Sequence, residues 1–212
     1  MRSLHALIGL GLVIGTTVAA GQAVLPKDIH PDTGNRFPSV KREALNDAGK
    51  KIYDARVDAF GPGSIRLYSP PVVEAMTGLN DYLRRKSGLE PRLVELAILV
   101  TAREMDSEYV WTAHEPPALK AGLQQAVIDT VKYRRPVTTL GEKDAVIVQL
   151  GRDAICKHKV GSDTFASAVK LFGHQGVVNI VALMGDYAAT TILLNVSDQH
   201  VRPREKSLLP IP

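Results

Sequence analysis

Disulfide chemistry is closed to this chain of 212 residues, because it holds a single cysteine, Cys156. One thiol makes no intramolecular disulfide, no Cys-x-x-Cys redox pair and no thiolate zinc site. Aromatics are scarce too: one Trp, six Tyr and four Phe make up 5% of the residues. The core must therefore be built from Leu, Val, Ile and Ala, which favours helices over an aromatic-rich β-sandwich. No segment shows a convincing two-residue alternation between turn residues, so a sheet has little support. Neither sign of charge dominates. The 26 Lys and Arg against 22 Asp and Glu leave a formal +4, spread along the chain without basic runs interleaved with aromatics. This argues against nucleic acid as a partner. Hydrophobic residues at 45% and charged residues at 23% are globular values and exclude disorder as a global description.

One apolar run free of charge stands at the N terminus. Residues 1–23 carry Arg2, then an apolar stretch from Ala6 to Ala20, then small residues at Val18-Ala19-Ala20 and Gly21-Gln22-Ala23. This is the pattern of a secretory signal peptide. The other reading is an uncleaved anchor, but the run falls short of the roughly 20 residues a spanning helix needs. Removing 1–23 takes away Arg2 and no acid, leaving +3. The expected product is exported, periplasmic in a Gram-negative cell, and makes no membrane contact after cleavage. Cys156 is then expected as a buried, unpaired thiol.

In the rest of the chain, Pro26, Pro31, Gly34 and Pro38 mark 24–38 as an extended arm or linker. Ser39 caps a predicted helix reaching about Asp58, which Gly61-Pro62-Gly63 stops. Ser69 followed by Pro70 and Pro71 opens a helix that ends at Gly88. Pro91 opens another, with a break near Asp106-Ser107. A further helical stretch follows up to Gly122, with Pro116 and Pro117 read as interruptions. Helices are also predicted over 124–133, 141–158, 163–172 and 176–196. The fold class is all-α, with seven or eight helices. The domain spans 39–200 and a tail covers 201–212. The last helix is apolar on most of its circumference, which fits either a central core helix or burial against another subunit.

Five histidines remain outside the signal segment. His30 and His200 lie in polar terminal stretches, His158 ends a helix beside Lys157 and Lys159, and His174 sits at a helix junction. His114 differs, standing in Glu108-Tyr-Val-Trp-Thr-Ala-His114-Glu115 beside the single Trp. It is either a satisfied helix histidine or an acid–base group. A zinc-protease motif would need a second His at position 118, which is Ala118. No Gly-x-Ser-x-Gly elbow and no phosphate loop is present. Glu95 lies in the apolar run Leu93-Val-Glu95-Leu-Ala-Ile-Leu-Val, where an unpaired carboxylate is costly. It is either ion-paired with an arginine such as Arg92 or Arg103, or it orients a histidine. A separation of 19 residues lets an antiparallel helix pair bring Glu95 to His114.

The run from Glu95 through Ser107-Glu-Tyr-Val-Trp-Thr-Ala-His114 to Ala118 and Gly122 resembles the core of the carboxymuconolactone decarboxylase family, whose fold is shared with alkyl hydroperoxide reductase D-type proteins. The stretch from Phe172-Gly-His-Gln-Gly176 through Gly185-Asp-Tyr187 to Leu194-Asn195 is similar to the C-terminal helix of the longer members. The likeness covers roughly residues 65–200. It implies a multi-helix bundle of that fold, and a homo-oligomer, trimer or hexamer. The peroxidase branch carries cysteines seven and four residues before the His. Here these positions are Ser107 and Val110, which supply neither a thiolate nor a resolving thiol.

The resemblance therefore implies decarboxylase- or lyase-type acid–base chemistry, with no cofactor and no metal, on a carboxylated lactone or unsaturated acid. It casts His114 as acid/base and Glu95 as the group that orients it. Trp111, Ser107, Val110 and Tyr187 would line the substrate pocket, though Trp111 is equally well a plain core aromatic. The alternatives are a hydroperoxide-reducing protein of the same fold and a non-catalytic periplasmic binding protein.

Overall fold

The computed structural model describes residues 26–55, 60–202 and 205–211, and all regular elements among them are helical. The signal segment 1–23 lies outside the described residues. A short 3-10 turn (Arg42–Ala44) precedes α1 (Asp47–Asp54), α2 (Pro62–Arg66) and α3 (Pro70–Asp81), which runs on into a π-helical turn (Tyr82–Lys86). Then come α4 (Pro91–Glu104), α5 (Glu108–Lys120), α6 (Gln125–Lys132), α7 (Glu142–Cys156) and α8 (Ser162–Ser197).

Helix α4 is the centre, buried without interruption from Leu93 to Arg103. A helix apolar on every side needs neighbours on every side, and α5, α7 and α8 supply them. Pro91 starts it, as Pro70 and Pro71 start α3, because a fixed φ and a missing N–H cost nothing in a first turn. Asp106, at φ 48°, turns the chain into α5. Helix α7 closes tightly on α4 at Gly151, where a Cβ would stand 2.4 Å from Val100 Cγ1.

Several local expectations change. The helix expected from Ser39 is shorter: Asn46, whose side chain accepts from the Gly49 N–H, caps α1, and Asp58 lies outside the described residues. Gly61-Pro62-Gly63 starts a helix instead of stopping one. Gly61 takes φ 91° and a Cβ there would lie 2.2 Å from the Tyr109 hydroxyl, so only glycine fits. Helix α5 continues through Pro116 and Pro117. Both prolines are exposed, so the carbonyls they leave unpaired fall on the wet side of the helix, where water serves them. The break expected between 172 and 176 is present: Gly173, at φ 67° and ψ 171°, is non-helical, so α8 is two helical segments joined at a kink.

Of the arm or linker expected over 24–38, the described residues 26–38 are docked against the rest of the fold. Ile29, Thr33 and Asn35 are buried. Gln199, just past α8, donates to the carbonyls of Thr33 and Gly34 at 3.1 and 3.2 Å and accepts from Asn35 Nδ2 at 2.9 Å. The Arg36 N–H donates to the Ser197 carbonyl at 2.8 Å. The C-terminal tail is held too: Arg103 Nη1 donates to the Pro210 carbonyl at 2.8 Å, and Leu209 is buried.

By length and composition α8 could cross a membrane, but 56% of its most apolar window is buried in the fold. Val177, Ile180, Leu183, Met184, Tyr187 and Leu194 face the core, while Val178, Val181, Ile192 and Val196 form an exposed apolar stripe. Of the two readings of this helix, the core role holds for one side.

Candidate active site

Glu95 is buried in the second turn of α4, and both of its oxygens are used. Oε1 accepts from Arg84 Nη2 at 2.8 Å and Oε2 meets His114 Nδ1 at 2.8 Å. Burial pushes the carboxyl upward. The His114 contact and the Arg84 charge outweigh it and hold the group below the ordinary glutamate value. Glu95 is thus an anion braced from both sides. Glu95 meets both an arginine and His114, but the arginine is neither Arg92 nor Arg103. Arg92 pairs with Asp144 at 2.6 Å, and Arg103 turns to Asp106 and the C-terminal tail. The π-helical turn after α3 supplies Arg84.

His114, in the middle of α5, is largely buried, with its ring edge-on to Tyr187 at 5.0 Å between centroids and 90° between planes. Glu95 occupies Nδ1 and so leaves Nε2 as the nitrogen open to a ligand. Tyr187, from α8, is buried, and that burial pushes its hydroxyl pKa up, so it is a proton-bearing group at neutral pH. His114 and Tyr187 line a cleft of about 350 Å³ together with Arg66, Met76, Asn80, Tyr109, Val110 and Thr190. This volume suits a small molecule. Among the described residues no three His, Cys, Asp or Glu side chains gather as a metal site.

The structure brings together four of the six expected site residues: Glu95, His114, Val110 and Tyr187. It places the other two elsewhere. Trp111 does not wall the cleft; it is fully buried on the other side of α5, with its Nε1 donating to Glu115 Oε2. Lys132 completes that cluster, 2.9 Å from Glu115 Oε1 and 5.6 Å from the Trp111 ring centroid. Ser107 is buried at the start of α5 and faces a separate hollow beside Asp198 and His200. Cys156 is exposed at the end of α7, not buried as expected, because the helix ends there at the surface. Its sulfur sits 3.3 Å from Glu104 Oε2, and partial burial with that carboxylate pushes the thiol pKa up. It is not among the residues of the cleft.

Sequence reasoning missed Arg66, Asn80 and Arg84. Arg84 sits in Tyr-Leu-Arg-Arg-Lys, which reads as a solvated basic face. Arg66 lies beyond a glycine-rich turn with no apolar periodicity around it to fix its direction.

Residues 70–135, about a third of the chain, match the family model described as "Carboxymuconolactone decarboxylase family". That span contains Arg84, Glu95 and His114 but not Arg66, Tyr187 or Thr190. A crystal structure described as an alkylhydroperoxidase AhpD core, an uncharacterized peroxidase-related protein from Ralstonia eutropha, is similar over 79% of this chain and 92% of that one, with a TM-score of 0.64. At 16% identity, that similarity is one of fold. No curated protein sequence matches the chain. The chain is thus carboxymuconolactone decarboxylase-like across the segment that carries Glu95 and His114, on an all-α fold shared with the AhpD core.

Proposed function

We propose that this protein is a cofactor-independent acid–base enzyme of carboxy-lyase type, acting on a small carboxylated lactone or unsaturated acid. One observation carries the reading: a histidine on the wall of a cleft has one nitrogen held at 2.8 Å by a buried glutamate, itself pinned by an arginine. Such an anion fixes the ring orientation, which leaves Nε2 to exchange a proton with a ligand. In the reaction, the bond between the substrate carbon and its carboxylate breaks and carbon dioxide leaves. The electron pair passes into the conjugated carbonyl as a dienolate, and His114 Nε2 delivers a proton to carbon. Solvent returns a proton to the ring. Tyr187, beside the ring and protonated, is placed to donate to the enolate oxygen.

The test is turnover of lactone acids and unsaturated acids by wild type and His114→Ala. A fall of roughly 10²–10⁴-fold is expected of a lost general acid–base group. Unchanged turnover overturns the assignment, and a protein that binds such acids without turning them over is a binding protein.

The same proposal has residues 1–23 act as an export signal, with the enzyme working in the periplasm. It also has copies assemble as a trimer or hexamer over the stripe of Val178, Val181, Ile192 and Val196. Hydroperoxide reduction is the second reading, favoured by the peroxidase-related description of the structural neighbour. The positions of Ser107 and Val110 and the raised pKa of Cys156 speak against it.

A further inference from the structure

Arg66 closes the short helix α2 and, with Thr190 of α8, forms a part of the cleft wall that lies outside the family-matched segment. Its Nη2 donates to Thr190 Oγ1, and its Nε is buried without a hydrogen-bond partner. Thr190 is neutral, and its own hydroxyl donates to the Asp186 carbonyl, so it cannot balance the charge. Asp186 is a counter-charge that acts on it through space, yet no ion pair joins the two among the described residues. Instead, Asp186 Oδ2 accepts from Asn80 Nδ2 at 2.8 Å. Arg84, Arg92, Arg103 and Arg152 each have a carboxylate within ion-pair distance, Glu95, Asp144, Asp106 and Glu104 respectively, although the Nε atoms of Arg103 and Arg152 also lack a hydrogen-bond partner. A desolvated guanidinium whose donors meet no protein carboxylate among the described residues fits a carboxylate of the ligand.

We propose that Arg66 anchors a carboxylate that stays on the substrate throughout the reaction, so that the ligand of this cleft carries an anionic group remote from its reacting carbon. This rests on the acid–base reading of the same cleft. The charge argument decides which carboxylate is held. A departing carboxylate loses its negative charge as it becomes carbon dioxide, so a guanidinium on that group stabilises the ground state and slows the step. The departing group belongs against the less polar wall of Met76, Val110 and Ala113. The retained one belongs on Arg66, with the reacting carbon at His114. Burial lowers the arginine's pKa from its ordinary value, and a bound anion relieves that cost.

Calorimetric binding of levulinate, its primary amide and γ-valerolactone to the full protein tests this. Wild type is expected to bind the acid at least about tenfold more tightly than the amide or the lactone, as charge-assisted hydrogen bonds imply. Arg66→Met should bring the acid and the amide to parity, Arg66→Lys should keep part of the difference, and His114→Ala should keep all of it. Equal binding of acid and amide by wild type overturns the anchor without any variant. So does no binding of either at millimolar concentration, or a preference that survives in folded Arg66→Met. If His114→Ala keeps both turnover and the acid preference, the acid–base reading falls and the anchor stands. If turnover depends on His114 and the preference is absent, the anchor alone falls.

Discussion

Glu95 Oε2 and His114 Nδ1 lie 2.8 Å apart across 19 residues of chain, the first on α4 and the second on α5. The turn at Asp106 brings the two helices together, and the apolar surface of α4 keeps them packed. The contact is therefore fixed by the folding of the core rather than by a mobile loop. The carboxylate reaches the ring already anchored, since Arg84 takes its other oxygen.

Arg84 holds Glu95 directly and also acts through space on Tyr187, so Arg84→Met should lower kcat about tenfold with KM nearly unchanged, in the range of outer hydrogen-bond partners of reactive groups. The acidic limb of the kcat–pH profile should move as well, because Glu95 loses the charge that helps to hold it ionised. A steady-state pH series checks both. A fall in kcat with an unmoved profile would make Arg84 merely structural.

The lowered pKa of Glu95 carries a sign for stability. A carboxyl whose pKa is lower in the folded than in the unfolded protein adds stability at pH above the unfolded value, about 4.3 for glutamate. That increment is lost as pH falls from there through the folded value. Urea unfolding as a function of pH should show wild type losing more stability than Glu95→Gln over that acid window. Parallel curves would contradict the lowered pKa.

The cluster of Trp111, Glu115 and Lys132 is a buried ion pair on the side of α5 away from the cleft. Lys132→Met leaves the Glu115 carboxylate buried without its counter-charge and should cost about 3–5 kcal/mol. The double variant Lys132→Met with Glu115→Gln should recover much of this. Turnover per folded molecule should not change in either, which thermal melts alongside activity assays would establish.

At Gly61, an alanine meets both an unfavourable φ of 91° and the Tyr109 hydroxyl. Gly61→Ala should destabilise the protein by about 1–3 kcal/mol, the cost of such backbone strain. It should also raise KM, because Tyr109 lines the cleft and must move. Retention of both stability and KM would mean the turn is more compliant than its geometry implies.

Cys156→Ser should leave turnover of carboxylic substrates unchanged, since the thiol rests on Glu104 away from the cleft. A hydroperoxide-reducing activity that vanishes in this variant would instead favour the peroxidase reading.

Much of the architecture is written in local chemistry. Proline pairs start α3, Pro91 starts α4, the apolar run from Leu93 demands a central position, and the lack of alternating segments matches an all-α fold. A histidine beside acidic residues and a glutamate in an apolar run were enough to single out His114 and Glu95, because a charge in such company needs a partner. Local chemistry could not say who the partners are. Arg84 reaches Glu95 because the π-helical turn aims one basic residue inward from a run that reads as surface. Trp111 turns away from the cleft because Glu115, one turn along the same helix, takes its N–H on the far side. The arm is a docked element because Gln199, more than 160 residues away, satisfies its carbonyls. Periodicity is a property of neighbours in the chain, and so the amino-acid order determined the helices and their buried faces. Long polar side chains choose among partners distant in sequence, and that choice exists only once the helices have packed.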